Sequence, residues 1–217
     1  MDTTTIIVIA TIHQFHLKSQ FYSLGHLKTM IERINPDVIC VELTAKDLKD
    51  KKDQAVKVEY PKCIIPLAEK KGYILIPMEP NEPEYSRIVN KSKQTLKKIE
   101  SKEPTKLEIF SLYIKSLLDY LFTYWNSPVE VNSQLTNALF EVKHKFQNSL
   151  FGLAEEQGWN EWNNHFLNTI LETAEAYKDK KILVTVGVEH VYWLKRHLRS
   201  KTTIRLVDEV IKWKNPK

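Results

Sequence analysis

Apolar residues along this chain follow two periods. Unbroken runs occur at Ile6–Ala10, Val38–Val41, Tyr73–Pro77 and Ile182–Val186. A short aliphatic and β-branched run without polar alternation predicts a strand covered on both faces, as in a parallel sheet. Between the runs the apolar positions take helical spacing. Leu24, Leu27, Ile31 and Ile34 predict a helix over roughly 23–34, stopped by Asn35-Pro36-Asp37. Glu59-Tyr60-Pro61 opens another, with Pro61 in the first turn, where its missing N–H does no harm. Ile64, Ile65, Leu67 and Ala68 are its buried candidates, and Lys70-Lys71-Gly72 ends it. The Lys- and Asp-rich residues 44–58 read as an exposed connection. The opening is therefore β-α-β-α-β, a parallel sheet with helical crossovers.

From Pro83 to about Tyr177 the strand period disappears. Helices are predicted at roughly 84–100, 105–125, 130–150 and 160–178, with breaks near Ser101–Pro104, Asn126-Ser127-Pro128 and Gln157-Gly158. This segment is too long for a simple crossover. Residues 84–178 read as an all-α insertion within a single α/β domain spanning 1–217, covering one side of the sheet's carboxyl edge. The sheet returns at Lys180–Val186, a helix follows over Val188–Arg199, and Thr203–Val207 is a last short strand. Residues 208–217 read as a tail. The expected fold class is α/β, a mostly parallel central sheet with flanking helices and an all-α insertion.

Composition narrows the function classes. The 217 residues, 42% hydrophobic and 27% charged, suit one globular domain with a real core. The net charge of +5 comes mostly from lysine, with only five arginines. Specific nucleic-acid readers lean on arginine forks, so no specific nucleic-acid partner is expected. Cys40 and Cys63 read as buried free thiols, not as a disulfide or a C-x-x-C motif. The chain starts without a signal-peptide pattern, which makes the cytoplasm the expected location. The most apolar long stretch, Leu107–Trp125, carries Glu108, Lys115 and Asp119 and reads as an amphipathic helix, not a membrane span.

Candidate chemistry gathers at the strand ends. Four strands finish alike: Ala10-Thr11-Ile12-His13, Cys40-Val41-Glu42, Pro77-Met78-Glu79 and Gly187-Val188-Glu189-His190. Each places a histidine or glutamate just past an apolar strand, at the edge where open α/β sheets bind ligands. Two imidazoles and one or two carboxylates suit a divalent metal such as Mn, Zn, Co or Fe, with His13, Glu42 and His190 as ligands. The same groups could work without metal, with His13 as general base and Glu42 orienting it. Glu79 and Glu59 are second carboxylates in either scheme. Glu189 reads as a first-turn acid that favours the helix dipole and faces away. Glu59 and Tyr60 begin a helix beside the same edge. His26, His144 and His197 have no supporting context and read as structural.

These motifs resemble the TraB/Tiki/ChaN/erythromycin-esterase superfamily. The resemblance rests on Ala10-Thr11-Ile12-His13, on Pro36-Asp37 leading to Glu42, and on Gly187-Val188-Glu189-His190. It covers most of the sheet, while the helical middle matches only in character. Two departures are visible: Ala10 stands for a glycine, and Asn163 stands where relatives carry an arginine in a helix motif. The resemblance implies a mixed α/β fold with two halves around one site. It implies substrate-side roles for Glu59, Tyr60, Asn164 and His165, which fall where relatives carry polar residues. It also implies hydrolytic chemistry that varies: metal-dependent peptidases, macrolide-lactone esterases, haem binders and pheromone-shutdown proteins share the fold. The leading expectation is a hydrolase of ester or amide bonds acting on a small molecule or peptide. The alternative is a non-catalytic module that binds a small ligand or haem at the same edge.

Overall fold

The computed structural model describes residues 3–208. Five strands form one sheet in the order β3-β2-β4-β1-β5. They are β1 (Thr4–Thr11), β2 (Val38–Val41), β3 (Ile74–Pro77), β4 (Lys181–Gly187) and β5 (Ile204–Leu206). Every pairing is parallel. β4 lies between β1 and β2, so the last long strand to be made is the middle of the sheet. Ile182, Leu183, Val184 and Val186 are all fully buried, as expected of a strand with neighbours on both edges and helices on both faces. The register aligns Thr11 with Gly187, Val41 with Thr185 and Val41 with Pro77. Four carboxyl ends therefore open on one edge.

Helix α1 (Leu24–Ile34) joins β1 to β2. The Ser23 side chain caps it, and the left-handed Asn35 ends it. A short α2 (Ala45–Lys49) lies in the connection after β2, where the sequence predicted only an exposed link. A π-turn over Tyr60–Ile64, with Pro61 in its first turn, leads into α3 (Ile65–Lys71). Between β3 and β4 the chain is helical: α4 (Glu84–Lys102), α5 (Pro104–Tyr124), α6 (Pro128–Val131), α7 (Gln134–Phe151) and α8 (Leu153–Ala176). The four predicted helices are present, with α8 starting seven residues earlier than expected because Gly158 is tolerated within it. Helix α9 (Val188–Arg199) follows β4 directly, and α7 and α8 pack against it. Cys40 and Cys63 are free and buried. Among the described residues no helix is long and apolar enough to cross a membrane. The predicted tail from 209 onward lies outside the described residues.

Candidate active site

The turn after β1 is held rigidly before any functional group is placed. Tyr22 Oη donates to the Ala10 carbonyl at 2.7 Å, and the Ala10 N–H donates to Asn132 Oδ1 at 2.7 Å. The Ile12 N–H donates to His16 Nε2 at 3.1 Å, so His16 Nδ1 carries the proton it gives to the Tyr22 carbonyl at 2.7 Å. Burial pushes the His16 pKa below 6.5 despite that bond. His16 is thus a neutral bracket. It holds the chain where His13 takes a left-handed conformation, φ +50°. Histidine enters that region more readily than most residues, at a cost on the order of 1 kcal/mol.

His13 is clamped from two sides. Its Nδ1 lies 2.8 Å from Glu59 Oε1, and Glu59 is fully buried at the start of the turn that follows the 44–58 connection. A carboxylate accepts only, so Nδ1 carries the proton and Nε2 is left for chemistry. On the other side stands Gly187. A β-carbon there would come 2.7 Å from His13 Nε2 and 3.4 Å from Glu42 Oε2. The glycine is required by this close approach, not by its backbone angles. Burial lowers the His13 pKa, but the Glu59 hydrogen bond and the Glu42 charge outweigh it and raise the value above 6.5.

Glu42, at the end of β2, is 4% exposed. Its Oε2 accepts from the Gly187 N–H at 2.6 Å, and its Oε1 lies 3.1 Å from Lys57 Nζ. Burial would raise its pKa, but Lys57, His13, His190 and the Gly187 N–H together hold it at about 2. Lys57 also reaches Glu79 Oε1 at 2.5 Å and the Glu42 carbonyl at 3.1 Å. One ammonium therefore serves two carboxylates. Glu42 keeps the charge, and Glu79 is pushed upward by burial and by Glu42, against the pull of Lys57. The ammonium itself is raised above its ordinary value because the two carboxylates outweigh its burial.

His190 sits in the first turn of α9. Asn163 Nδ2 donates to the Trp159 carbonyl at 2.8 Å, which turns Asn163 Oδ1 toward His190 Nδ1 at 2.9 Å. His190 therefore donates from Nδ1 and keeps its lone pair on Nε2. Burial lowers its pKa to about 4 despite the attraction of Glu42. The indole of Trp159 stacks on His190 at 4.5 Å and on His144 at 3.7 Å. His144 Nε2 and Lys143 Nζ approach Glu189 Oε2 at 3.4 Å and 2.8 Å. Burial would raise the Glu189 pKa, but these partners bring it well below the usual carboxylate range.

Two cavities meet at His190. The larger, about 370 Å³, is bounded by Glu42, Lys57, Glu79, Tyr85 and Trp159. The smaller, about 240 Å³, has Thr11, His13, Gly187 and Glu189 at one end. His13, Glu42 and His190 thus gather around Gly187, and Glu79 joins them through Lys57.

Several expectations are corrected. Glu59, not Glu42, orients His13, because Glu42 is engaged by Lys57 and Gly187. Tyr60 is fully buried; its hydroxyl donates to the Thr185 carbonyl at 2.9 Å and accepts from the Glu42 N–H at 3.0 Å. It ties β2 to β4 and faces neither cavity. Asn164 is exposed, and neither it nor His165 lines either cavity. One step along a helix rotates a side chain by about 100°, and it is Asn163 that points at His190. Glu189 does not face away but lines the smaller cavity. Lys57, Asn163 and His144 were not expected at the site. The flanking Val56 and Val58 were the only hint that the charged connection dips inward at Lys57.

The proposed ligand set of His13, Glu42 and His190 does not fit a metal as arranged. Among the described residues no three His, Cys, Asp or Glu side chains are grouped to hold an ion. Both oxygens of Glu42 are already engaged, and the Lys57 ammonium occupies the place beside Oε1 where a cation would go. No protein-family model matches the chain, and no curated protein matches it.

Proposed function

We propose that the chain hydrolyses ester or amide bonds of a small molecule or peptide, with His13 activating water. One observation carries this reading: the His13–Glu59 pair, 2.8 Å apart, with its imidazole at the end of a cavity shared with His190. A buried carboxylate behind an imidazole sets its tautomer and stabilises the imidazolium that forms on proton abstraction. The raised pKa of His13 suits a base working near neutral pH.

In this scheme His13 Nε2 takes a proton from water as the oxygen adds to the substrate carbonyl carbon. His190, neutral with its lone pair on Nε2, accepts a hydrogen bond from the same water. The first N–H groups of α9 have no intrahelical partners and can stabilise the oxyanion. The intermediate then collapses: the C–O or C–N bond breaks, and the proton on His13 passes to the departing alcohol or amine. No metal takes part in this sequence. The resemblance to the TraB/Tiki/ChaN/erythromycin-esterase superfamily supports hydrolysis as the chemistry.

The test is hydrolysis of a panel of small esters and amides by the wild type, His13→Gln and Glu59→Gln. His13→Gln is expected to lower kcat/KM by about 10²–10⁴-fold. Chelator treatment and added Mn or Zn are expected to leave the rate unchanged. Unchanged turnover in His13→Gln contradicts the assignment, and a rate that depends on metal returns the divalent ion to the site.

The neutral His190, with an open Nε2, favours a second reading, in which the same edge binds a small ligand or haem without turnover. A Soret band on adding haem, lost in His190→Ala, with no activity across the panel, supports that reading over hydrolysis.

A further inference from the structure

The smaller cavity is mostly apolar, its polar side chains besides His13 and His190 being Thr11, Gln14 and Glu189. Its apolar wall is made by Phe15, Val56, Leu118, Phe122, Trp125 and Phe140. Phe122 stands edge-on to Phe15 at 5.1 Å and to Trp125 at 5.6 Å, so the aromatic rings face inward from several directions. Among the described residues no lysine or arginine lines this cavity. Its rim carries Gln14 and two exposed apolar side chains. Phe15 is 40% exposed and Val56 is 53% exposed. Apolar side chains left open at the mouth of an apolar slot mark surface that a ligand covers. The neighbouring residues Val56 and Lys57 line different cavities, so one loop divides an apolar compartment from a charged one.

We infer that this cavity takes the acyl side of the substrate, an uncharged single aromatic ring or short branched alkyl group. The volume of about 240 Å³ lies below the roughly 300 Å³ at which drug-sized pockets begin, which limits the group to about one ring. A carboxylate on that group has no cation to meet and is disfavoured by burial. With the apolar group seated, the carbonyl carbon reaches the His13–His190 end. The leaving group then points across His190 into the larger cavity, which carries the charged Glu42, Lys57 and Glu79. The substrates are small aryl- or branched-acyl esters and amides with polar leaving groups. Long-chain lipids and extended peptides do not fit the acyl side. The position of the reacting bond rests on the hydrolase reading, whereas the binding of the apolar group does not.

The experiment is calorimetric titration of the full chain at pH 8 with phenylacetamide, acetamide and phenylacetate. It is repeated with Phe15→Ala and Val56→Asp, two rim positions whose exposure keeps folding out of question. Phenylacetamide is expected to bind, and each variant to weaken it about tenfold. Acetamide is expected not to bind, and phenylacetate to bind more weakly than the amide. Absence of phenylacetamide binding, equal affinity for acetamide, or unchanged affinity in both variants overturns the inference. Turnover separates it from the broader reading. If phenylacetamide binds as described but neither it nor 4-nitrophenyl phenylacetate is hydrolysed, the acyl cavity stands and the hydrolase reading falls. If 4-nitrophenyl acetate is hydrolysed while phenylacetyl compounds neither bind nor react, the hydrolase reading stands and the acyl cavity falls.

Discussion

At Gly187 the space allowed to one side chain decides where another one works. An alanine there sets a methyl group 2.7 Å from His13 Nε2, which forces the imidazole off its position against Glu59 and Glu42. In the proposed hydrolysis, misplacing the base by about 1 Å costs roughly a hundredfold, so Gly187→Ala is expected to lower kcat/KM by about that factor while the sheet still forms. Steady-state rates and circular dichroism on the same sample check both parts. Lys57 is the second residue on which the site depends. Lys57→Met leaves Glu42 and Glu79 buried without their cation. Breaking a buried pair in this way costs about 3–5 kcal/mol, read as a lower urea midpoint. Restoring the charge with Lys57→Arg is expected to recover part of that loss.

At the scale of elements, what was legible in the sequence was whatever a local period can carry. Strands β1, β2 and β4 stand out because a buried parallel strand is an unbroken apolar run, and their ends carry His13, Glu42 and His190, which the fold brings to one edge. The order of the strands was not legible, because insertion of β4 between β1 and β2 depends on packing across a long stretch of helices. Nor was the facing of α8, where 24 residues with polar positions on several faces leave the helical phase undetermined. The phase decides a prediction. Asn163→Ala removes the fully buried acceptor of the half-buried His190 imidazole and is expected to cost about 1–3 kcal/mol. Asn164→Ala, on the exposed face, is expected to change stability by less than about 0.5 kcal/mol. Equal effects in thermal melts of the two variants contradict the assigned facing.

For the molecule as a whole, the site is joined from distant pieces of chain, and its titration is a property of the fold. Lys57 comes from a connection whose lysines and aspartates read as solvent-exposed, with only the flanking Val56 and Val58 hinting that it turns inward, and Glu59 follows directly after it. Three histidines, His16, His144 and His190, are held below their ordinary pKa of 6.5, in each case chiefly by burial. Unfolding frees them to take up protons that the folded state refuses. Their contribution to stability is present above pH 6.5 and is lost as pH falls through the folded values, about 4 for His190. His190 alone accounts for a loss on the order of 3 kcal/mol between those limits. Below pH 4.5 Glu42 adds to it, since its folded pKa of about 2 lies under the unfolded value. Denaturant melts across pH 4–8 are expected to fall steeply toward the acid side, and less steeply in His190→Gln.

The central claim is that Glu59 holds His13 ready as a base while His190 stays neutral, and a pH titration of the two imidazoles by heteronuclear NMR tests it most directly. The account predicts that His13 titrates above 6.5 with its proton on Nδ1, that His190 titrates near 4, and that Glu59→Gln lowers the His13 value without moving His190. A His13 pKa at or below 6.5 in the wild type, or one that Glu59→Gln leaves unchanged, contradicts it.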